Sequence, residues 1–280
     1  MSIWLFTILI WLGSILAGFL GALTGLGGGV VIVPLLTLVF GVDIRYAIGA
    51  SLVSVIATSS GAASAYVKEG FTNIRIGMFL EIATTVGALV GAFLALRLAS
   101  PLIAIIFGLV LIYSAYLSSH PNRENAEIDK PDVLAVRLKM GGEYPTSQGL
   151  KSYSVGSVPA GFSLMFVAGI ISGLLGIGSG AIKVLAMDRL MRLPFKVSTA
   201  TSNFMIGVTA AASAGIYLNK GYIDPGLTMP VMLGVLFGSS LGARYLFSAE
   251  TKKLRLIFSI VILVLAIEMI YSGMKAGIVK

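Results

Sequence analysis

Eight apolar runs set the terms for this chain. Residues 3–23, 44–67, 76–98, 101–117, 158–175, 197–218, 225–247 and 254–271 are predominantly apolar. A helix crosses the hydrocarbon core of a bilayer with roughly 20 such residues. Charges gather between the runs, as at Lys68, Glu69 and Arg75, at Arg189, Arg192 and Lys196, and at Glu250, Lys252, Lys253 and Arg255. Only 11% of the 280 residues are charged, whereas a soluble domain carries about 25%. Lipid must therefore solvate much of the surface. Within lipid only helices and closed barrels satisfy the backbone, and barrel strands would read as short alternating segments. The expectation is an all-α, polytopic membrane protein with about eight transmembrane helices. The first run lacks a basic flank and seven others follow, so it reads as a helix of the mature protein rather than a secretory signal.

The chain also repeats itself. Shifted by 151 residues, it matches without a gap over three helices and their turns. Gly25, Gly27 and Gly29 fall on Gly176, Gly178 and Gly180; Ser51 falls on Ser202, Thr58 on Thr209, Gly70 on Gly221 and Gly87 on Gly238. Such self-similarity marks a duplication. It predicts a first repeat over residues 1–118, a polar extramembrane loop over 119–157 and a second repeat over 158–280. In the loop, "LAVRLKMGGEY" alternates and then meets Gly-Gly, which suits either a small β-hairpin or a flexible linker.

Each half contains four long apolar runs and one extra piece of about eleven residues, 30–40 and 181–191. Eleven residues make only about 16 Å of helix, so a broken or re-entrant element is expected where each half begins. Four spans per half would make the repeats parallel. Five, with the extra piece crossing, would invert them. Basic residues divide almost evenly between the two faces, so both membrane orientation and repeat direction stay open.

The first helix of each half ends in a glycine cluster, "TGLGGG" and "GIGSG". No strand precedes either cluster and no Walker lysine follows, so a phosphate loop is excluded. Glycine costs about 1 kcal/mol per residue in a helix interior, so the clusters should unwind. Unwound backbone at membrane depth needs protein or a cavity around it, and the helix that follows points its N–H groups there, a site suited to an anion. Paired breaks in two repeats point to a transporter's binding site. The expected site comprises Gly27, Gly28 and Gly29 with Ser51 in the first half, and Gly178, Ser179 and Gly180 with Lys183 in the second. Lys183 stands inside a membrane segment, where an ionisable residue is a functional candidate. Thr201, Ser202 and Asn203 add donors on the next helix. Glu81 is a candidate for proton coupling. Gly87, Gly91, Gly234, Gly238 and Gly242 have the four-residue spacing of close helix packing.

Together, "TGLGGGVVIVPLL", "GLLGIGSGAIKVLAM", "GASLVS" and "STATSNF" resemble the TauE/SafE sulfite-exporter family over nearly the whole chain outside the central loop. The resemblance implies a multi-pass protein of the cytoplasmic membrane with two repeats that exports sulfite, an organosulfonate or a related sulfur-containing anion. Two positions depart from the motif: Ser179 replaces a glycine, and Leu185 stands where the first copy has Pro34.

Other functions fit less well. An intramembrane serine protease would need a histidine beside "GSG", and His120, the only one, lies in the polar loop. A cation carrier built on Glu81, Asp188 and Glu268 lacks clustered ligands, and the sign of Lys183 opposes it. An anion channel shares the same helix-end chemistry. The chain has no cysteine and carries no cofactor, ATP or metal motif. Its net charge of +8 is scattered over short turns, which suits a lipid surface rather than nucleic acid. The expected partners are the bilayer and a small oxyanion; a homo-oligomer stays open.

Overall fold

The computed structural model describes residues 3–24, 28–68, 70–119, 132–146, 149–246 and 251–278. Before the central segment come α1 (Ile3–Thr24), α2 (Gly29–Pro34) running on into a π-helical turn over Leu35–Val39, α3 (Ile44–Lys68), α4 (Ile74–Arg97) and α5 (Ser100–Ser119). The same order follows it: α7 (Val158–Leu175), α8 (Gly180–Leu185) with a π-helical turn over Ala186–Leu190, α9 (Phe195–Asn219), α10 (Pro225–Leu246) and α11 (Thr251–Ile278). Both π-helical turns form although only the first has a proline before it, Pro34 against Leu185. Proline is therefore not what makes them.

Matching positions repeat in their geometry as well. Val42 N–H donates to the Leu36 carbonyl and Leu193 N–H to that of Met187, both at about 3 Å (3.0 and 2.9 Å). Asn73 caps α4 by accepting from Ile76 N–H at 3.0 Å, and Asp224 accepts from Leu227 N–H at 2.9 Å. Gly70 and Gly221 take φ of +76° and +75° in the turns before those caps, a backbone shape that favours glycine.

Among the described residues, α1, α4, α7 and α11 are long and apolar enough to cross a membrane, and α3, α5 and α10 carry shorter apolar stretches. Large apolar side chains remain exposed along one face of these helices, including Met78, Ile82, Val86 and Phe93 on α4 and Ile260, Val264, Ile267 and Tyr271 on α11. Water would not tolerate such contiguous patches; lipid does. The molecule is an all-α, multi-pass membrane protein.

The glycine contacts fix the helix directions. A Cβ on Gly87 or Gly91 of α4 would strike the carbonyls of Phe166 or Ile170 on α7, and one on Gly169 or Gly173 would strike those of Thr84 or Ala88. Residue numbers rise together, so α4 and α7 run parallel. Gly234 and Gly238 on α10 meet Trp11 and Ile15 on α1 in the same sense. By contrast, Gly49 near the start of α3 lies against Tyr222, beyond the end of α9, while Thr201 near the start of α9 lies at Asn73, beyond the end of α3. Helices α3 and α9 are therefore antiparallel. So are α5 and α11, where Gly108 meets Ala266 and Gly273 meets Pro101.

Each short segment folds back along the helix before it. Phe6 packs edge-on against Phe40 at 5.6 Å and Gly13 lies against Leu35, so α2 and its π-helical turn descend along α1. Met191 meets Gly161 in the equivalent hairpin of α7 and α8. The two sets of helices thus run in opposite senses, although each has four long helices, because the short segment returns the chain to the side where the hairpin began.

The central segment differs from the alternating pattern in its sequence. Val133–Arg137 is helical (α6), because the Asp132 carboxylate caps it through Leu134 N–H at 2.8 Å. The hairpin starts later: β1 (Gly142–Thr146) pairs antiparallel with β2 (Gly149–Tyr153) in the register Gly142↔Tyr153 to Thr146↔Gly149. Its strands are joined between Thr146 and Gly149, not at Gly141-Gly142. Asn73 holds it against the bundle, donating to the Met140 carbonyl at 2.9 Å and the Tyr153 hydroxyl at 2.7 Å.

Candidate functional site

The two glycine breaks touch each other. A Cβ on Gly29 would lie 3.0 Å from the Gly176 carbonyl oxygen and 2.6 Å from Ser51 Oγ. Ser51 Oγ donates to that same carbonyl at 2.7 Å, across the two halves. Gly176 and Gly178 both have φ of +69°, in the left-handed region where a side chain is strained; they also abut Ile48 and Ile206. Ser179 takes the left-handed conformation too, at φ +44°. Its Oγ donates back to the Ala168 carbonyl at 2.7 Å, which ties the break to α7 and accounts for a serine at this point. Gly27 lies outside the described residues, as do Gly25 and His120. Gly28 and Gly29 are buried.

The serines near the breaks are committed to backbone carbonyls. Besides Ser51 and Ser179, Ser202 Oγ donates to the Gly180 carbonyl at 3.4 Å. On α3, Ser54 and Thr58 donate to carbonyls of their own helix. Thr201 and Asn203 are not brought to the breaks. Thr201 Oγ1 accepts from Asn73 N–H at 3.1 Å, near the start of α9 beside the hairpin, and the Asn203 amide donates to Thr199 in its own helix at 3.1 Å.

Lys183 is fully buried, so it does not reach toward the interface. Its Nζ donates to Thr209 Oγ1 at 2.6 Å, and that hydroxyl donates to Glu81 Oε1 at 2.7 Å. The hydroxyl accepts from the ammonium, and its one hydrogen lies nearer Glu81 Oε1 than the Met205 carbonyl of its own helix, at 3.0 Å, so it can bridge an ammonium and a carboxylate. Thr85 also donates to Oε1, at 3.1 Å. Glu81, only 6% exposed, keeps its other oxygen Oε2 buried with no hydrogen-bond partner. Glu81 stands on α4, Lys183 on α8 and Thr209 on α9, so the bridge straddles the two halves. The sequence matched Thr209 to Thr58 across the offset but did not reveal this role. The i, i+7 spacing from Ser202 was the signal available. Asp188 is buried, whereas Glu268 is exposed on α11.

Among the described residues no group of three or more histidines, cysteines or carboxylates could hold a metal ion. The arrangement offers one buried ammonium, a carboxylate it reaches through one hydroxyl, and the start of α2 in contact with the break between α7 and α8.

Comparison with known proteins identifies the family. The profile of the family described as Sulfite exporter TauE/SafE matches residues 10–269. The "Probable membrane transporter protein YunE" of Bacillus subtilis (strain 168) is 31% identical over 277 residues, covering 96% of this chain and 98% of its own. The "Probable membrane transporter protein YdhB" of the same strain is 27% identical, covering 86% and 89%. The "Probable membrane transporter protein MJ0441" of Methanocaldococcus jannaschii is 24% identical, covering 91% and 92%. No solved structure gives a significant match. The chain belongs to the TauE/SafE sulfite-exporter family of membrane transporters.

Proposed function

We propose that this protein carries a small sulfur-containing oxyanion, sulfite or an organosulfonate, across the cytoplasmic membrane, and that export is its direction. The anion binds where the two glycine breaks meet, beside Lys183. Eight long helices span the bilayer in two inverted repeats, residues 1–118 and 158–280, and the segment 119–157 lies outside it. The observation that carries this reading is the contact of Gly29 with the Gly176 carbonyl, with a lysine of no solvent exposure on the short helix that begins at Gly180. The N–H groups that open a helix are donors without an intrahelical partner, and an anion at the start of each short helix would use them. Ser51 and Ser202 would exchange a carbonyl for the anion as it enters. Buried charge is costly and is retained in membranes mainly for function.

Flux of labelled sulfite into proteoliposomes tests the reading, with empty vesicles and the Lys183→Met variant as controls. Loss of one charge-assisted contact is worth about 1.5–3 kcal/mol, so the variant should raise the apparent Kd roughly ten- to hundredfold while eluting as an assembled protein. Sulfite binding equal to that of the wild type would remove Lys183 from the site.

A further inference from the structure

We propose that Glu81 is a proton site coupled to the anion through Thr209, so that the protein moves one proton with each monovalent anion. The inference rests on the anion site proposed above. Lys183 in the second half and Glu81 in the first share the Thr209 hydroxyl, at 2.6 and 2.7 Å. With both groups ionised the empty site is neutral. An anion arriving at Lys183 brings a second negative charge beside a carboxylate already buried, and like charges at such a distance disfavour joint ionisation. Glu81 relieves this by taking one proton from water. The new O–H bond has a place, because Oε2 is buried and accepts nothing while Oε1 is already occupied by Thr209 and Thr85. Release of the anion returns the proton. Loaded and empty sites are both neutral, so neither state places net charge in the hydrocarbon, where charge is expensive.

Among the described residues no other titratable group stands in for Lys183 opposite Glu81. Helix α7, packed on α4, has no titratable side chain. On α9, Lys196 sits over the Phe71 ring at one end and Tyr217 donates to the Gly173 carbonyl toward the other. On α4 itself, Arg75 donates to the Lys139 carbonyl beside the hairpin. Asp188 and Arg189 follow Lys183 on the return segment and have contacts of their own. The place matched to Glu81 by the repeat is Met232, so the coupling site occurs once.

The test is the affinity of the detergent-solubilised protein for labelled methanesulfonate, which does not itself titrate, at a series of pH values, with sulfite as a second probe. One-proton linkage makes the wild-type Kd fall up to tenfold for each unit of pH decrease while Glu81 is ionised in the empty site. Glu81→Gln should flatten that dependence, and Glu81→Asp should restore it. A flat wild-type profile, or an unchanged slope in Glu81→Gln, overturns the proton site and leaves the anion site standing. Failure of the wild type to bind either probe overturns the anion reading, and this inference with it. If Glu81→Gln does not assemble, wild-type methanesulfonate flux under a potassium–valinomycin potential decides. Coupled flux is independent of the potential, whereas flux that follows the potential is uncoupled and overturns the proposal.

Discussion

Two regions matched by the 151-residue offset share a backbone and differ in chemistry. In one, Lys183, Thr209 and Glu81 form a charged bridge between the halves. In the other, the same positions hold Ile32, Thr58 and Met232. Ile32 is fully buried among apolar neighbours, and the Thr58 hydroxyl only bonds Ser54 and Val55 in its own helix. Around both, the return segments, π-helical turns, caps and glycine turns coincide. The difference teaches that two matched scaffolds keep their packing in both halves, whereas a buried charge, costing several kcal/mol, is replaced by carbon in one of them.

The sharpest way to break this comparison is to remove a partner from the charged side. Glu81→Leu leaves the Lys183 ammonium buried without its counter-charge, and such losses cost about 3–5 kcal/mol. Met232→Leu is close to volume-conserving and should cost under about 1.5 kcal/mol. Thermal unfolding of both variants in detergent should show the first far below the second. Equal midpoints would mean that Lys183 and Glu81 are not interacting.

The packing side of the comparison predicts symmetry instead. Gly87→Ala and Gly238→Ala each push a methyl group into a facing backbone carbonyl, of Phe166 and Ile15. Overpacking of this kind costs about 1–3 kcal/mol, and the two losses should be similar on the same thermal scale. A large loss at one and none at the other would show that the helix pairs α4–α7 and α1–α10 are not equivalent.

Smaller effects separate the threonines and the bridge between the breaks. Thr209→Val keeps the shape but leaves Lys183 Nζ and Glu81 Oε1 without their common partner, for a loss of about 1–3 kcal/mol. Thr58→Val gives up only a bond within its helix and should change the midpoint little, since such back-bonding contributes no helix stability. Ser51→Ala removes the hydrogen bond to Gly176 across the halves, worth about 1 kcal/mol. Faster amide exchange at residues 28–32 and 179–183, measured by mass spectrometry, would report the breaks loosening together.

Part of this was legible in the residues alone. The apolar runs announced helices because hydropathy acts residue by residue, and the helix ends at Thr24 and Leu175 fall where the glycines begin. Repeat spacing announced the matched turns at Gly70 and Gly221, whereas the caps at Asn73 and Asp224 emerged only in the structure. Lys183 stood out because nothing apolar explains it. The alternation in 134–138, in contrast, misled: a cap at Asp132 made that piece helical and moved the hairpin on by several residues.

The sequence by itself determined that this is a helical, multi-pass membrane protein whose halves match at an offset of 151 residues, because those features depend on local backbone preference and on burial in lipid. Tertiary structure decided the rest. Which way each helix runs, and which face it turns to its neighbour, follows from contacts between residues about 80 to 220 positions apart, such as Gly91 with Ile170 and Gly238 with Ile15. Rotation of α4 and α9 about their own axes placed Glu81 and Thr209 before Lys183 and turned Thr201 and Asn203 away from the breaks. Helical spacing puts a side chain on a face, but only packing says what that face meets.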